Sequence, residues 1–237
     1  MNRRVEELGW QSTPLGEITL RRRYDPIVQT DVYEVKLDDD FLMSSLFPVA
    51  EEELAHRALE RLHGDALSVL VGGLGLGYTA KAALSDDRVA DLTVMEYSDV
   101  LIDWNRDNLI PDTAGLAADP RTTLRCADFF ASAAGEIGFD PDHPGRQYDA
   151  ILLDIDHSPQ HVLNESHRPF YMPSGLQELE RFLAPDGIFA MWSDDPPEDE
   201  FMAVLDTAFS DIEAHRVWFH NPFTGGQSSN TVYLAQR

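Results

Sequence analysis

Residues 67–78 read Leu-Ser-Val-Leu-Val-Gly-Gly-Leu-Gly-Leu-Gly-Tyr, an apolar run closed by four glycines in six positions. A short apolar run bounded by glycine is a buried strand. Glycine lets the backbone turn sharply and approach a ligand closely. From Tyr78 to Leu84 the spacing is helical, and the first N–H groups of a helix have no partner within it. Strand, glycine turn and helix in that order build a ligand cradle out of main chain. A plain tight turn is the alternative, and the setting between an apolar strand and a helix weighs against it. The spacing Gly73-x-Gly75-x-Gly77 is tighter than the Gly-x-Gly-x-x-Gly of nicotinamide enzymes.

The rest of the chain repeats the alternation. A helical spacing at Leu54, Ala55, Ala58, Leu59 and Leu62 precedes the glycine turn. Strands are predicted at 67–71, 92–95, 122–126, 150–153 and 188–192. Helices are predicted at 78–84, 100–108, 129–134, 176–183 and 201–209, with Pro185-Asp186-Gly187 closing the fourth. Two final strands, 212–219 and 231–235, follow each other closely, so one antiparallel edge is expected. Residues 17–23, 32–37 and 41–44 alternate as short strands, with Asp38-Asp39-Asp40 as a turn. The expected architecture is α/β: a β appendage over residues 1–50, then a mostly parallel sheet covered on both faces over 51–237. The mixed stretch 158–174 reads as a lid or a substrate loop.

Formal net charge is −24 over 237 residues. Such a surface repels phosphate backbones and anionic lipid and attracts small cations. No nucleic-acid or membrane partner is therefore expected, and plain solubility is the bland meaning of the charge. The single cysteine, Cys126, forms no internal disulfide, and residues 1–16 hold no apolar signal segment. A cytoplasmic protein is expected. Pairing of the N-terminal strands between subunits would make a homodimer.

Met95-Glu96 ends the second strand of the alternation, where a carboxylate about 20 residues past the glycines accepts both ribose hydroxyls of a nucleoside. After the third strand comes Cys126-Ala127-Asp128-Phe129-Phe130. Asp128 is placed to accept from an adenine amino group and Phe129 to pack on the ring. Asp128 also stands where a helix N-cap would, and the two roles are compatible.

With Tyr148-Asp149-Ala150-Ile151-Leu152-Leu153-Asp154-Ile155-Asp156, Phe170-Tyr171, Gly175-Leu176 and the run Leu183 to Ala190, these motifs resemble class I S-adenosylmethionine-dependent methyltransferases. Within them the chain is most similar to the spermidine synthase (polyamine aminopropyltransferase) branch, over roughly residues 50–237. The resemblance implies a Rossmann-like, mostly parallel seven-stranded sheet with one antiparallel edge strand. It implies S-adenosylmethionine, or its decarboxylated form, as cofactor. Gly73, Gly75 and Gly77 would wrap it, Glu96 would bind its ribose and Asp128 its adenine, and Asp154 would sit beside the sulfonium and the acceptor. Spermidine synthases carry an aspartate in the glycine turn, matched here by Leu76. They carry a catalytic aspartate three residues after the match to Asp154, where this chain has His157. Their Tyr-His-Glu segment before the turn has no counterpart beyond Tyr33-Glu34 and Glu51-Glu52-Glu53.

Ligands of such folds bind beyond the carboxyl ends of the strands. Asp154, Asp156 and His157 follow one strand end there, and Asp194 and Asp195 the next. Facing one pocket, with Tyr171, these carboxylates would hold a cationic acceptor. Asp154, Asp156 and His157 are the expected catalytic residues, with His157 as base because imidazole titrates near about 6.5. The bland alternatives are a helix-initiating turn at Asp194-Asp195-Pro196-Pro197 and a loop role for His157. No metal is expected, because Pro159 breaks the helix that would align His157 with His161. The first functional expectation is methyl transfer to a small amine-bearing or cationic molecule, since Leu76 removes the carboxylate that reads the decarboxylated cofactor. Aminopropyl transfer is the second, and a non-catalytic nucleoside-binding regulatory protein the third.

Overall fold

The computed structural model describes residues 5–13, 16–38 and 40–237; Asp39, in the predicted Asp38-Asp39-Asp40 turn, lies outside the described residues, as do 1–4. Four antiparallel strands come first: β1 (Val5–Thr13), β2 (Gly16–Asp25), β3 (Thr30–Leu37) and β4 (Asp40–Ser44), paired in that order. The sequence pattern does not reveal β1. Most of its side chains are exposed, so no buried period marks it.

The second unit alternates helix and strand. In chain order it runs α1 (Val49–Glu60), β5 (Leu67–Gly72), α2 (Tyr78–Leu84), β6 (Val89–Glu96), α3 (Asp99–Arg106), β7 (Thr122–Cys126), α4 (Phe129–Ala134) and β8 (Tyr148–Leu153). It closes with α5 (Pro173–Glu180), β9 (Leu183–Ser193), α6 (Asp199–Leu205), β10 (Ser210–Asn221) and β11 (Gly226–Gln236). The strands form one sheet in the order β10-β11-β9-β8-β5-β6-β7. All neighbours from β9 to β7 are parallel. The reversal lies at the expected end, where β11 runs antiparallel to both β9 and the edge strand β10.

Alternation along β5 shows why this sheet is buried on both faces. Val69 and Val71 join one core with α1 and α2, while Leu70, between them, joins the core on the opposite face. That second core is aromatic, with Phe129, Phe139, Phe189 and Tyr233 among its buried members. A third cluster joins Ile18, Leu20 and Val35 of the four-stranded sheet to Leu76, Tyr78 and Trp104. It seats the appendage against the glycine turn. Pro185-Asp186-Gly187 does not end a helix as expected. It lies inside β9, where Asp186 has φ +62° and the register with β8 slips. Proline is tolerated at such an irregularity because no ladder N–H is needed there. Among the described residues, no helix is long and apolar enough to cross a membrane.

Strand order reverses at β5, which has β6 on one side and β8 on the other. A crevice therefore opens beyond the carboxyl ends of β5 and β8.

Candidate active site

The crevice is framed by the glycine turn. Gly73, Gly75 and Gly77 have φ of +96°, +51° and +93°, the left-handed region that side chains disfavour. At Gly73 sterics leave no choice: a Cβ there would lie 2.1 Å from the Asp154 carbonyl oxygen. The end of β5 is thereby pressed onto the end of β8, where the Asp154 N–H donates to the Gly72 carbonyl at 2.8 Å. Beyond the turn, Gly77 is the left-handed N-cap of α2. Met43 of β4 stands over Gly75, so the appendage supplies one wall of the cradle.

Glu96, at the tip of β6, faces the turn. Its carboxylate accepts the Leu74 N–H at 3.0 Å and the Ser98 N–H at 2.8 Å, one on each oxygen. Burial raises its pKa, and these amide hydrogen bonds oppose that rise. The Gly75 and Tyr97 N–H groups also favour its ionised form, so the carboxylate gathers main-chain donors from the turn and from its own strand end. Next to it Tyr97 is an exposed aromatic, 62% accessible, at the same strand end. Asp128 caps α4, accepting the Ala131 N–H at 3.0 Å. Phe129 is not open to a ligand. It is buried against Gly72, where a Cβ would meet its ring at 2.6 Å, and it packs on Phe139. The exposed ring at this end is Tyr97, which the sequence reading missed.

Leu76 also turns away from the crevice. It is buried with Ile18, Leu20 and Trp104 under the appendage. Its side chain is therefore spent on seating the appendage.

At the tip of β8, Asp154 accepts from the Thr79 hydroxyl of α2 at 2.6 Å. Burial pushes its carboxyl up to about 6, against the stabilising Thr79 hydrogen bond. A second acid stands here that the sequence reading noted only within Glu51-Glu52-Glu53 and gave no role. Glu51, in the first turn of α1, is pushed up to about 8, first by burial and next by the charge of Asp154. Its Oε2 is buried without a hydrogen-bond partner. The two acids titrate as a pair, both made harder to ionise by burial and Glu51 further by the Asp154 charge. Asp194, after β9, adds its field to Glu51. Asp194 is held by its N–H donating to the His157 carbonyl at 2.7 Å and by the Asn230 amide donating to Oδ1 at 2.7 Å. The strand ends thus bring Glu51, Asp154 and Asp194 together.

Other expected residues lie elsewhere. Asp156 is 3% exposed and is fully engaged. It accepts the Leu163 N–H at 2.7 Å and the Tyr171 hydroxyl at 2.8 Å, and it pairs with His167 Nδ1 at 2.9 Å. His167 stacks on Phe130 with centroids 3.9 Å apart. Asp156 and Tyr171, expected as catalytic and acceptor-binding residues, are instead the anchor that pins the 158–174 stretch to the aromatic core. Tyr171, buried, has its pKa raised by burial and by the Asp156 charge. Asp195 is taken by His161 Nδ1 at 2.9 Å, and its pKa is lowered by hydrogen bonds from Ser158 and His161. His157 is exposed, with its backbone spent on Asp194. A separate groove of about 560 Å³ lies on the outer side of α1 and α2, lined by Glu52, His56, Lys81 and Arg121. Within it Arg121 pairs with Asp119 and the Tyr78 hydroxyl donates to Asp112 at 2.8 Å.

No protein-family model matches the chain, and no curated protein matches it in sequence. Solved structures do match its fold. Spermidine synthase from Thermotoga maritima aligns with a TM-score of 0.69 at 17% identity, over 97% of this chain and 72% of that one. A spermidine synthase in complex with the transition state analogue AdoDATO aligns at 0.68 and 18% identity, over the same shares. Human methyltransferase-like protein 13 in complex with SAH aligns at 0.55 and 21% identity, over 79% of each chain. The fold is the spermidine synthase-like form of the Rossmann-like class I methyltransferase architecture.

Proposed function

We propose that this chain is a transferase that moves an alkyl group from an adenosyl sulfonium compound to the amine nitrogen of a small cationic acceptor. The donor is decarboxylated S-adenosylmethionine and the group is aminopropyl. The observation that carries this reading is the grouping of Glu51, Asp154 and Asp194 beside the glycine turn, where the strongest charges acting on Glu51 are all negative. Such a field repels the carboxylate of S-adenosylmethionine and attracts the doubly cationic decarboxylated donor and a polyamine-like acceptor. A sulfonium supplies an electrophilic carbon and a neutral thioether leaving group.

The residues fit that donor. The glycine turn offers main chain to the donor, Glu96 stands beside it as the carboxylate for the ribose, and Tyr97 offers an exposed ring to the base. Asp128, which caps α4, would also accept from the adenine amino group. Support also comes from the extent of the likeness. The spermidine synthase alignment omits only about 3% of the chain, fewer residues than β1 to β4 contain. The appendage that carries Met43 is therefore shared with that structure.

Methyl transfer from S-adenosylmethionine is the second reading, resting on the likeness to the human methyltransferase-like protein in complex with SAH. One assay separates the two. Each donor is incubated with putrescine or spermidine, and the nucleoside product is identified. Methylthioadenosine is expected. S-adenosylhomocysteine as the only product would replace this reading with the second, and neither product with any small amine would remove both.

A further inference from the structure

An amine that attacks a sulfonium carbon must first lose a proton, and in water it holds that proton up to a pH of about 10. An ordinary carboxylate is a poor acceptor for it, and a neighbouring negative charge makes the amine hold it harder. We infer that Glu51 is the base that takes this proton, while Asp154 holds the acceptor as an anion. The inference rests on the transferase reading above and adds a residue and a role to it.

Three structural facts support the assignment. Glu51 stands in the first turn of α1, and its Oε2 is buried with no hydrogen-bond partner, an arrangement that costs free energy unless something else uses it. Asp154, whose charge acts on Glu51, is fixed by the Thr79 hydroxyl from α2, whereas Glu51 is bonded only to its own backbone N–H and keeps Oε2 without a partner. The groups facing Glu51 are Glu52 on its own helix, Asp154 after β8, Asp194 after β9 and the Tyr78 phenol of α2. The three carboxylates raise the proton affinity of Glu51. A base that titrates near about 8 lies much closer to an amine than an ordinary glutamate does. The Thr79-bound carboxylate stays ionised at neutral pH and holds the ammonium.

The step balances. The substrate ammonium gives a proton to Glu51. The freed nitrogen pair forms the new C–N bond, the C–S bond breaks, and its electron pair returns to sulfur as a neutral thioether. The positive charge moves to the product nitrogen, and Glu51 returns its proton to solvent.

Glu51→Gln and a neighbouring control, Glu52→Gln, test this. In the unloaded chain, carbon-13 NMR of labelled glutamate carboxyls is expected to show one group titrating near 8 that Glu51→Gln removes and Glu52→Gln retains. In turnover with decarboxylated S-adenosylmethionine and putrescine, Glu51→Gln is expected to lose about 100-fold or more in rate and the alkaline rise of the pH profile, as loss of general-base catalysis does. At pH 7, where Glu51 holds its proton and adds no charge to the field, its replacement should leave donor affinity by calorimetry within about threefold of wild type. The inference is overturned if no glutamate titrates near 8. It is equally overturned if Glu51→Gln keeps the wild-type rate and pH profile in a chain that does turn over. If the glutamate titrates as expected but calorimetry finds no donor bound to wild type, the transferase reading fails, and the base assignment falls with it.

Discussion

Glu51→Gln also makes a prediction that needs no substrate. The change removes one ionisable group and almost nothing of its size. Glu51 loses its proton near 4.5 in the unfolded chain and near about 8 in the fold. Between those values the folded state binds the extra proton, so stability falls as pH rises. This contribution is intact below pH 4.5 and is lost by about pH 8. Asp154 acts in the same direction between 3.8 and about 6. For Glu51 the full difference corresponds to about 5 kcal/mol, at ~1.4 kcal/mol per tenfold change. The side chain is half-buried and partly screened, which brings the expected effect to about 2–3 kcal/mol. Urea unfolding of both proteins at pH 5, 7 and 9, at constant m, reads this directly. The variant should match wild type within about 1 kcal/mol at pH 5 and exceed it by about 2–3 kcal/mol at pH 9. Stability curves that stay parallel from pH 5 to pH 9 would refute the buried acid pair.

Three further outcomes are expected. Gly73→Ala puts a Cβ 2.1 Å from the Asp154 carbonyl at a φ of +96°; it should cost about 3 kcal/mol or more in urea unfolding, and a cost below about 1 kcal/mol would show that the turn relaxes. Asp156→Asn weakens the shared acceptor of Leu163, His167 and Tyr171; it should destabilise by about 1–3 kcal/mol and speed limited proteolysis within 158–172. Tyr97→Ala should reduce affinity for an adenosyl ligand about three- to tenfold, by calorimetry, and leave the melting temperature unchanged because the ring is exposed.

Much of this architecture is legible in local pattern. The apolar run ending in Gly72 and Gly73, the strand-end acids Glu96 and Asp154, and the cap at Asp128 follow from period, glycine chemistry and position after a strand. What escapes the sequence is which way a side chain points once elements dock. Leu76 and Phe129 belong to the right loops, but packing turns Leu76 under the appendage and Phe129 onto Gly72. Asp156 and Tyr171 look like site residues by composition, yet they satisfy each other in the aromatic core. Glu51 sits in an acidic helix start that suits the helix dipole whatever lies beyond it. Only the docking of α1 beside the end of β8 gives it Asp154 as a neighbour, and no local signal reports that.

The central claim is a nucleoside cradle bounded by acids, and isothermal titration of the purified chain with decarboxylated and ordinary S-adenosylmethionine tests it most directly. The account predicts saturable binding of the decarboxylated form, at least about tenfold tighter than the ordinary form, and a further loss of about tenfold or more when Glu96 is replaced by Ala. Absence of heat with either compound, or affinity untouched by Glu96→Ala, would contradict it.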